Sequence, residues 1–294
     1  MSTTAADRPP APPARPPGRA RRRRTLRRAT RYLLLSIGAI VILFPLYVTV
    51  VNSLLPADQL ARRPPPLVPI PPQWHTYATA WSSGHVGQYL ATSALVTAAI
   101  TLGQLLTAVL AGYAFAFLRF PLRQVLFVAF LATLMIPFEV TLITNLSTIT
   151  SLGWFNSYAG LAVPFLATGF GTFLLRQAFL QIPPDLREAA ELEGAGNLWF
   201  LWRVALPLVR PALAALAVFA FLGAWNQYLW PLVATGGTHP LFTVQIGLKQ
   251  LQGTQVNQIN VTLAGTIIAV APLLVLLVAF QKQLVRGLTA GAVR

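Results

Sequence analysis

Seven carboxylates serve 294 residues, and four of them, Asp185, Glu188, Glu191 and Glu193, fall within nine consecutive positions. They lie in Ile182-Pro-Pro-Asp-Leu-Arg-Glu-Ala-Ala-Glu-Leu-Glu-Gly194. Asp185 followed three residues later by Glu188 has the form of an N-cap and N3 pair. Ala189, Ala190, Glu191 and Leu192 favour a helix, and Gly194 suits its terminator. Asn197 can cap a second helix behind it. The residues alone allow two uses for this short exposed helix: an amphipathic connector, or a docking element.

Elsewhere the chemistry is thin. The absence of cysteine excludes a thiolate metal site, a Cys nucleophile and a disulfide framework. His75, His85 and His239 have no metal-ligand spacing, and no Ser/His/Asp arrangement stands out. A phosphate-cradling Walker A loop needs Gly-Lys-Ser/Thr, but Lys249 follows Leu248 and Lys282 follows Gln281. We therefore expect no catalytic residues, no metal and no cofactor bound by this chain.

One carboxylate, Glu139, lies inside a long apolar run, two residues after Pro137. A charge at bilayer depth costs a few kcal/mol, so Glu139 either lines a wet translocation path or sits solvated near an interface. A helical rise of 1.5 Å from Gln124 puts it about 22 Å across, which leaves both open. Gln104, Asn226 and Gln227 are polar in the same way, as solute contacts or as helix–helix glue. Trp225, Tyr228 and Trp230 have the chemistry to stack on a sugar or polyol, or to form an interfacial belt.

The elements that must position these groups are membrane helices. The chain is 55% hydrophobic and 10% charged, with mean hydropathy +0.62, whereas a soluble domain carries about 25% charge. The uncharged run from Tyr32 to Leu55 is too long for a cleavable leader and reads as a retained span. Five more runs, near 88–117, 124–148, 156–181, 205–233 and 260–281, are long enough to cross a bilayer as helices. Pro45, Pro137, Pro164 and Pro272 fall inside spans, where kinks are tolerated. Residues 1–31, rich in Pro, Ala and Arg, read as a separate disordered basic tail, and 32–290 as the membrane domain.

Charge sets the orientation. The net charge is +15. With both termini cytoplasmic, the inner segments hold ten basic residues in the tail, Arg119 and Arg123, Arg176, Arg187, Arg203 and Arg210, and finally Lys282, Arg286 and Arg294. The outer segments hold only Arg62, Arg63 and Lys249. This is the positive-inside pattern, and it attributes the charge to an anionic lipid surface, not to nucleic acid.

Glu188-Ala189-Ala190, then three residues, Gly194, nine residues and Val204-Ala205-Leu206-Pro207 resembles the EAA loop of ATP-binding-cassette importer permeases. Val204 replaces the usual Ile, and Glu193 a frequent Asp. Ala111-Gly-Tyr-Ala-Phe-Ala-Phe-Leu-Arg-Phe-Pro-Leu-Arg123 is similar to the second-span end of the carbohydrate-uptake group, and Pro45 with Ser53 to its first span. Thr92-Ser93 stands where many members have Asn-Ser, so a role of that Asn does not carry over. Trp225-Asn-Gln-Tyr-Leu-Trp-Pro231, Tyr158-Ala-Gly-Leu161, Phe173-Leu-Leu-Arg-Gln177 and Val285-Arg-Gly-Leu288 most resemble the members that import sn-glycerol-3-phosphate.

The resemblance implies an all-α integral membrane fold of the type I importer kind, with six transmembrane helices and a cytoplasmic EAA coupling helix between the fourth and fifth. It implies coupling to an ATPase through Glu188, Ala189, Ala190, Glu191, Gly194 and Pro207. Glu188 would anchor by polar contacts, the two alanines would keep the docking face low, and Gly194 would permit the turn. The implied partners are a second homologous permease, two ATPase subunits carrying ATP and Mg, and an extracytoplasmic solute-binding protein. Two rivals remain at this stage: an ion-coupled secondary transporter using Glu139, and a membrane-anchored nucleic-acid binder using residues 1–31.

Overall fold

The computed structural model describes residues 17–237, 240–254 and 258–289, and among these every regular element is helical. The chain divides into two compact units, residues 1–51 and 52–294. The first unit consists of most of α1 (Pro17–Leu54), whose apolar part exposes Leu35, Val41, Ile42 and Phe44. Pro45 stays within the helix, and Thr49 Oγ1 donates to the Pro45 carbonyl at 2.8 Å. The stretch 17–31, expected to be disordered, is helical and continuous with the apolar run. The reason is cooperative: extending an existing helix through Arg and Ala costs far less than starting one. The rest of the expected tail, 1–16, lies outside the described residues.

The second unit takes in the last residues of α1, then α2 (Ala57–Leu60), α3 (His75–Ser82) and the long α4 (Val86–Phe117). Next come α5 (Arg123–Ala132), α6 (Phe138–Ser151), α7 (Tyr158–Ala162), α8 (Gly169–Phe179) and α9 (Pro184–Leu192). After α10 (Asn197–Phe200) a π-helical stretch Leu201–Ala205 leads into α11 (Leu206–Leu208) and α12 (Arg210–Trp225). The chain closes with α13 (Leu229–Ala234), α14 (Val244–Thr254) and α15 (Ile259–Thr289).

Among the described residues three apolar helices are each long enough to cross a membrane: Arg27–Leu54, Val86–Phe117 and Ile259–Gln281. The other three expected spans are broken, not continuous. Arg123–Met135 and Phe138–Ser151 meet at 101°, Tyr158–Phe165 and Gly169–Phe179 at 44°, and Asn197–Leu208 and Arg210–Trp225 at 81°. At the first break Ile136 is extended (φ −88°, ψ 112°) because Pro137 disfavours the helical region for the residue before it. Pro164 sits in a 3₁₀ turn, Val163–Phe165, at the second. The expected fifth span, 205–233, ends as a helix at Trp225 and resumes only at Leu229.

Helix α4 is the axis of this unit and packs on α8, α12, α14 and α15. Small residues bring α4 and α8 together: a Cβ on Gly112 would lie 3.1 Å from the Leu175 Cβ, and one on Gly171 would lie 3.1 Å from the Ala108 Cβ. Without a hydrophobic drive between helices in lipid, such close backbone approach is what holds them. The α4 end near Tyr113 buries Phe179, Ala190, Phe200 and Leu216 in one core. Its other half buries Ile100 with Leu161 and Trp230. Met135 and Ile143, 85% and 78% exposed, belong to surfaces that suit lipid or another subunit.

Candidate functional site

The acidic stretch folds as α9, but its start differs from the expectation. Pro183 is the N-cap and Pro184 opens the helix, which places Asp185 inside the first turn with no capping bond from its side chain. Proline fits N1 because that position has no intrahelical use for an N–H, and Asp185 still meets the positive helix end favourably. The other end matches the expectation for Gly194, which takes φ +77°. The Ala195 N–H donates to the Ala190 carbonyl at 2.9 Å and the Gly194 N–H to Glu191 at 3.0 Å, the two bonds of a Schellman stop. Gly196, not Asn197, is the N-cap of α10.

Helix α9 has two unlike sides. Asp185, Glu188, Ala189 and Leu192 share an arc of about 100°, and all four are exposed, Leu192 to 90%. Ala190, on the opposite side, is 7% exposed and packed into the chain's own core. Of the two alanines only Ala189 is therefore on an open face. Pro207 is the second residue of α11 and has no N–H for the preceding turn, which takes the wide π form; the 81° bend follows at Val209.

What seats α9 is Arg187, a residue the sequence did not single out. Its Nε donates to Glu191 Oε1 at 2.7 Å, the one ion pair among the described residues. Its Nη1 donates to the Phe117 carbonyl at 2.9 Å and its Nη2 to Asn197 Oδ1 at 3.3 Å. Tyr113 Oη donates to the Asn197 carbonyl at 3.0 Å. Beside this junction lies a depression lined by Phe117, Arg119, Arg123, Arg187, Glu188 and Glu191.

The polar residues of the spans separate into different roles. Gln104 Nε2 donates to the Phe165 carbonyl at 2.9 Å, and Thr107 donates to Leu166 at 2.8 Å. Both satisfy carbonyls that the α7–α8 break leaves without helical partners, so Gln104 serves as helix–helix glue. Trp225 is 3% exposed, its ring stacked on Phe221 at 5.5 Å and 12°. Trp230 is 2% exposed and donates through Nε1 to the Gly160 carbonyl at 3.1 Å. In this conformation neither ring has a face open to a sugar, nor does either sit in an exposed belt.

Asn226, Gln227 and Tyr228 occupy the gap between α12 and α13. Gln245 of α14, which pattern reading missed, donates to Asn226 Oδ1 at 3.4 Å. The Gln227 Oε1 and Trp225 Nε1 atoms are buried there without a protein partner. Glu139 is exposed in the first turn of α6, where the helix end favours a carboxylate. Of the three histidines, His75 opens α3, His85 precedes α4 with φ 53°, and His239 lies outside the described residues.

The model of the binding-protein-dependent transport system inner membrane components matches residues 104–290, a span that takes in α9, its seat and the bend after Pro207. The chain belongs to this family. Among curated relatives, the sn-glycerol-3-phosphate transport system permease protein UgpE of Yersinia pestis bv. Antiqua is 37% identical over 265 residues, covering 87% of this chain and 94% of that protein. UgpE of Rhizobium meliloti is 36% identical over 269 residues, with the same coverage. A chain from the crystal structure of a bacterial ABC transporter involved in the import of the acidic polysaccharide alginate shares the fold. Its TM-score is 0.75 at 21% identity, over 92% of this chain and 99% of that one. This permease is accordingly a multi-pass membrane component of a binding-protein-dependent transport system and not an enzyme, and the ion-coupled alternative is set aside.

Proposed function

We propose that this permease forms part of the translocation path for sn-glycerol-3-phosphate, or failing that another sugar or polyol-type solute, and that α9 is where a partner ATPase drives it. The observation that carries the coupling is the two-sidedness of α9. One face is seated on α4 through Arg187 and Ala190, while Glu188, Ala189 and Leu192 stand open for a partner's cleft. In this reading both termini and α9 are cytoplasmic, in keeping with the excess of arginine on that side. A second permease, two ATPase subunits and a solute-binding protein complete the transporter, and ATP and Mg are held by the ATPase subunits.

The solute assignment is supported by relatives of 36–37% identity named for that solute. We assign the path to Asn226, Gln227 and Tyr228 at the gap between α12 and α13, where the helix is interrupted, Asn226 and Tyr228 are exposed and the buried Gln227 Oε1 has no protein partner. Glu139 we place off the path, since a carboxylate there would repel a phosphate. The test is competition for ATP-driven uptake of labelled sn-glycerol-3-phosphate into vesicles holding the whole complex. Excess unlabelled sn-glycerol-3-phosphate should abolish uptake, with free glycerol and maltose ineffective. Absence of uptake, with maltose transported instead, would overturn the solute assignment.

A further inference from the structure

We propose that Arg187 is the positioning residue that transmits movement of α9 into α4, an inference that rests on the reading of α9 as the docking helix. Helix α9 is joined to its neighbours in sequence by short turns, 180–183 and 193–196. Its tie to α4, 70 residues earlier, is the bond from Arg187 Nη1 to the Phe117 carbonyl at 2.9 Å, with the guanidinium 5.3 Å from the Phe117 ring centre.

That carbonyl belongs to a helix end, where the last C=O groups have no intrahelical donor and carry the negative end of the dipole. Three elements use this helix end, each through a different carbonyl. Arg123 of α5 donates to the Leu118 carbonyl at 3.1 Å, Arg176 of α8 to Phe115 at 3.3 Å, and Arg187 of α9 to Phe117. The end of α4 is thus a node on which α5, α8 and α9 are each pinned by a guanidinium.

Arg187 differs from the other two because it also grips its own helix and the next one. Glu191 holds Nε and Asn197 holds Nη2, while Tyr113, one turn back on α4, donates to the Asn197 carbonyl. A planar fork with five N–H donors can serve three separated acceptors at once, and a lysine ammonium cannot do so in this geometry. The apolar contact of Ala190 beneath it permits sliding, whereas hydrogen bonds fix direction. A displacement of α9 therefore arrives at α4 as a pull on its last turn, and α4 packs on α8, α12, α14 and α15.

The experiment uses the complete transporter reconstituted in vesicles and reads solute imported per ATP hydrolysed. Arg187→Ala should lower this ratio roughly tenfold, the scale on which residues along a coupling route act, while the subunits still co-purify. Arg187→Lys, which keeps the charge and loses the fork, should fall between Ala and wild type. A wild-type ratio in Arg187→Ala would overturn the proposal. If that variant fails to co-purify, Arg187→Lys decides: a ratio lowered about threefold or more supports the transmission role, and a wild-type ratio refutes it. A wild-type complex that imports nothing with ATP defeats the docking-helix reading itself, and the proposal with it.

Discussion

Replacing Leu192 by Asp separates docking from folding. Leu192 is 90% exposed, so the isolated permease gains almost nothing from burying it. If α9 enters a cleft of the ATPase, nearly the whole side chain becomes buried there, a transfer of about 1.5–3 kcal/mol for a leucine. Losing it should weaken each permease–ATPase contact by roughly 10- to 150-fold, and a carboxylate facing an apolar cleft adds to the loss. The assay is titration of purified ATPase subunit onto the permease pair in lipid nanodiscs, with the melting temperature of the free permease as control. Leu192→Asp should raise Kd by at least tenfold and leave that melting temperature unchanged. Ala190→Asp, two positions away but 7% exposed, should instead abolish folding. An unchanged Kd for Leu192→Asp would refute the assignment of the open face.

Gly194→Val should impair coupling, because φ +77° costs an L residue about 1–2 kcal/mol even though its Cβ would meet nothing within 4 Å. Gly194→Asn, which tolerates that conformation, should retain most import per ATP, and equal behaviour of the two would count against a backbone cause. Gln104→Leu removes the donor to the Phe165 carbonyl at the α7–α8 break and should cost about 1–3 kcal/mol. This would be read as a lowered melting temperature in detergent, and an unaltered one would contradict the role given to Gln104. Glu139→Gln should leave ATP-driven import within about twofold, the effect of an exposed substitution. A loss beyond tenfold would put this carboxylate on the path.

Helices α4 and α15 were legible because a long uninterrupted apolar run has only one stable form in lipid. The stop of α9 was legible for a local reason as well, since Gly194 supplies the positive φ that its two terminal hydrogen bonds require. Its start was misread because Pro184 takes N1 and so places Asp185 within the first turn. The breaks at Ile136 and near Pro164 were read as tolerated kinks. What lets the second open into a full break is Gln104 and Thr107, some 60 positions earlier, which satisfy the freed carbonyls. Arg187 was missed for the same reason: it looks like one more solvated arginine until Phe117 and Asn197 are brought beside it. Trp225 and Trp230 have the chemistry of sugar-stacking rings, and only packing shows that Phe221, Phe138 and Phe165 occupy their surroundings.

The central claim is that transport through this permease is driven by ATP hydrolysed on a partner through α9. The direct measurement is uptake of labelled sn-glycerol-3-phosphate by proteoliposomes containing the permease pair, the ATPase subunits and the binding protein. ATP is supplied on the face that carries α9, and parallel vesicles hold the permease alone under an imposed proton or sodium gradient. The account predicts uptake in the first case that stops when ATP or the ATPase is omitted, and none in the second. Gradient-driven uptake by the permease alone, unaffected by ATP, would contradict it.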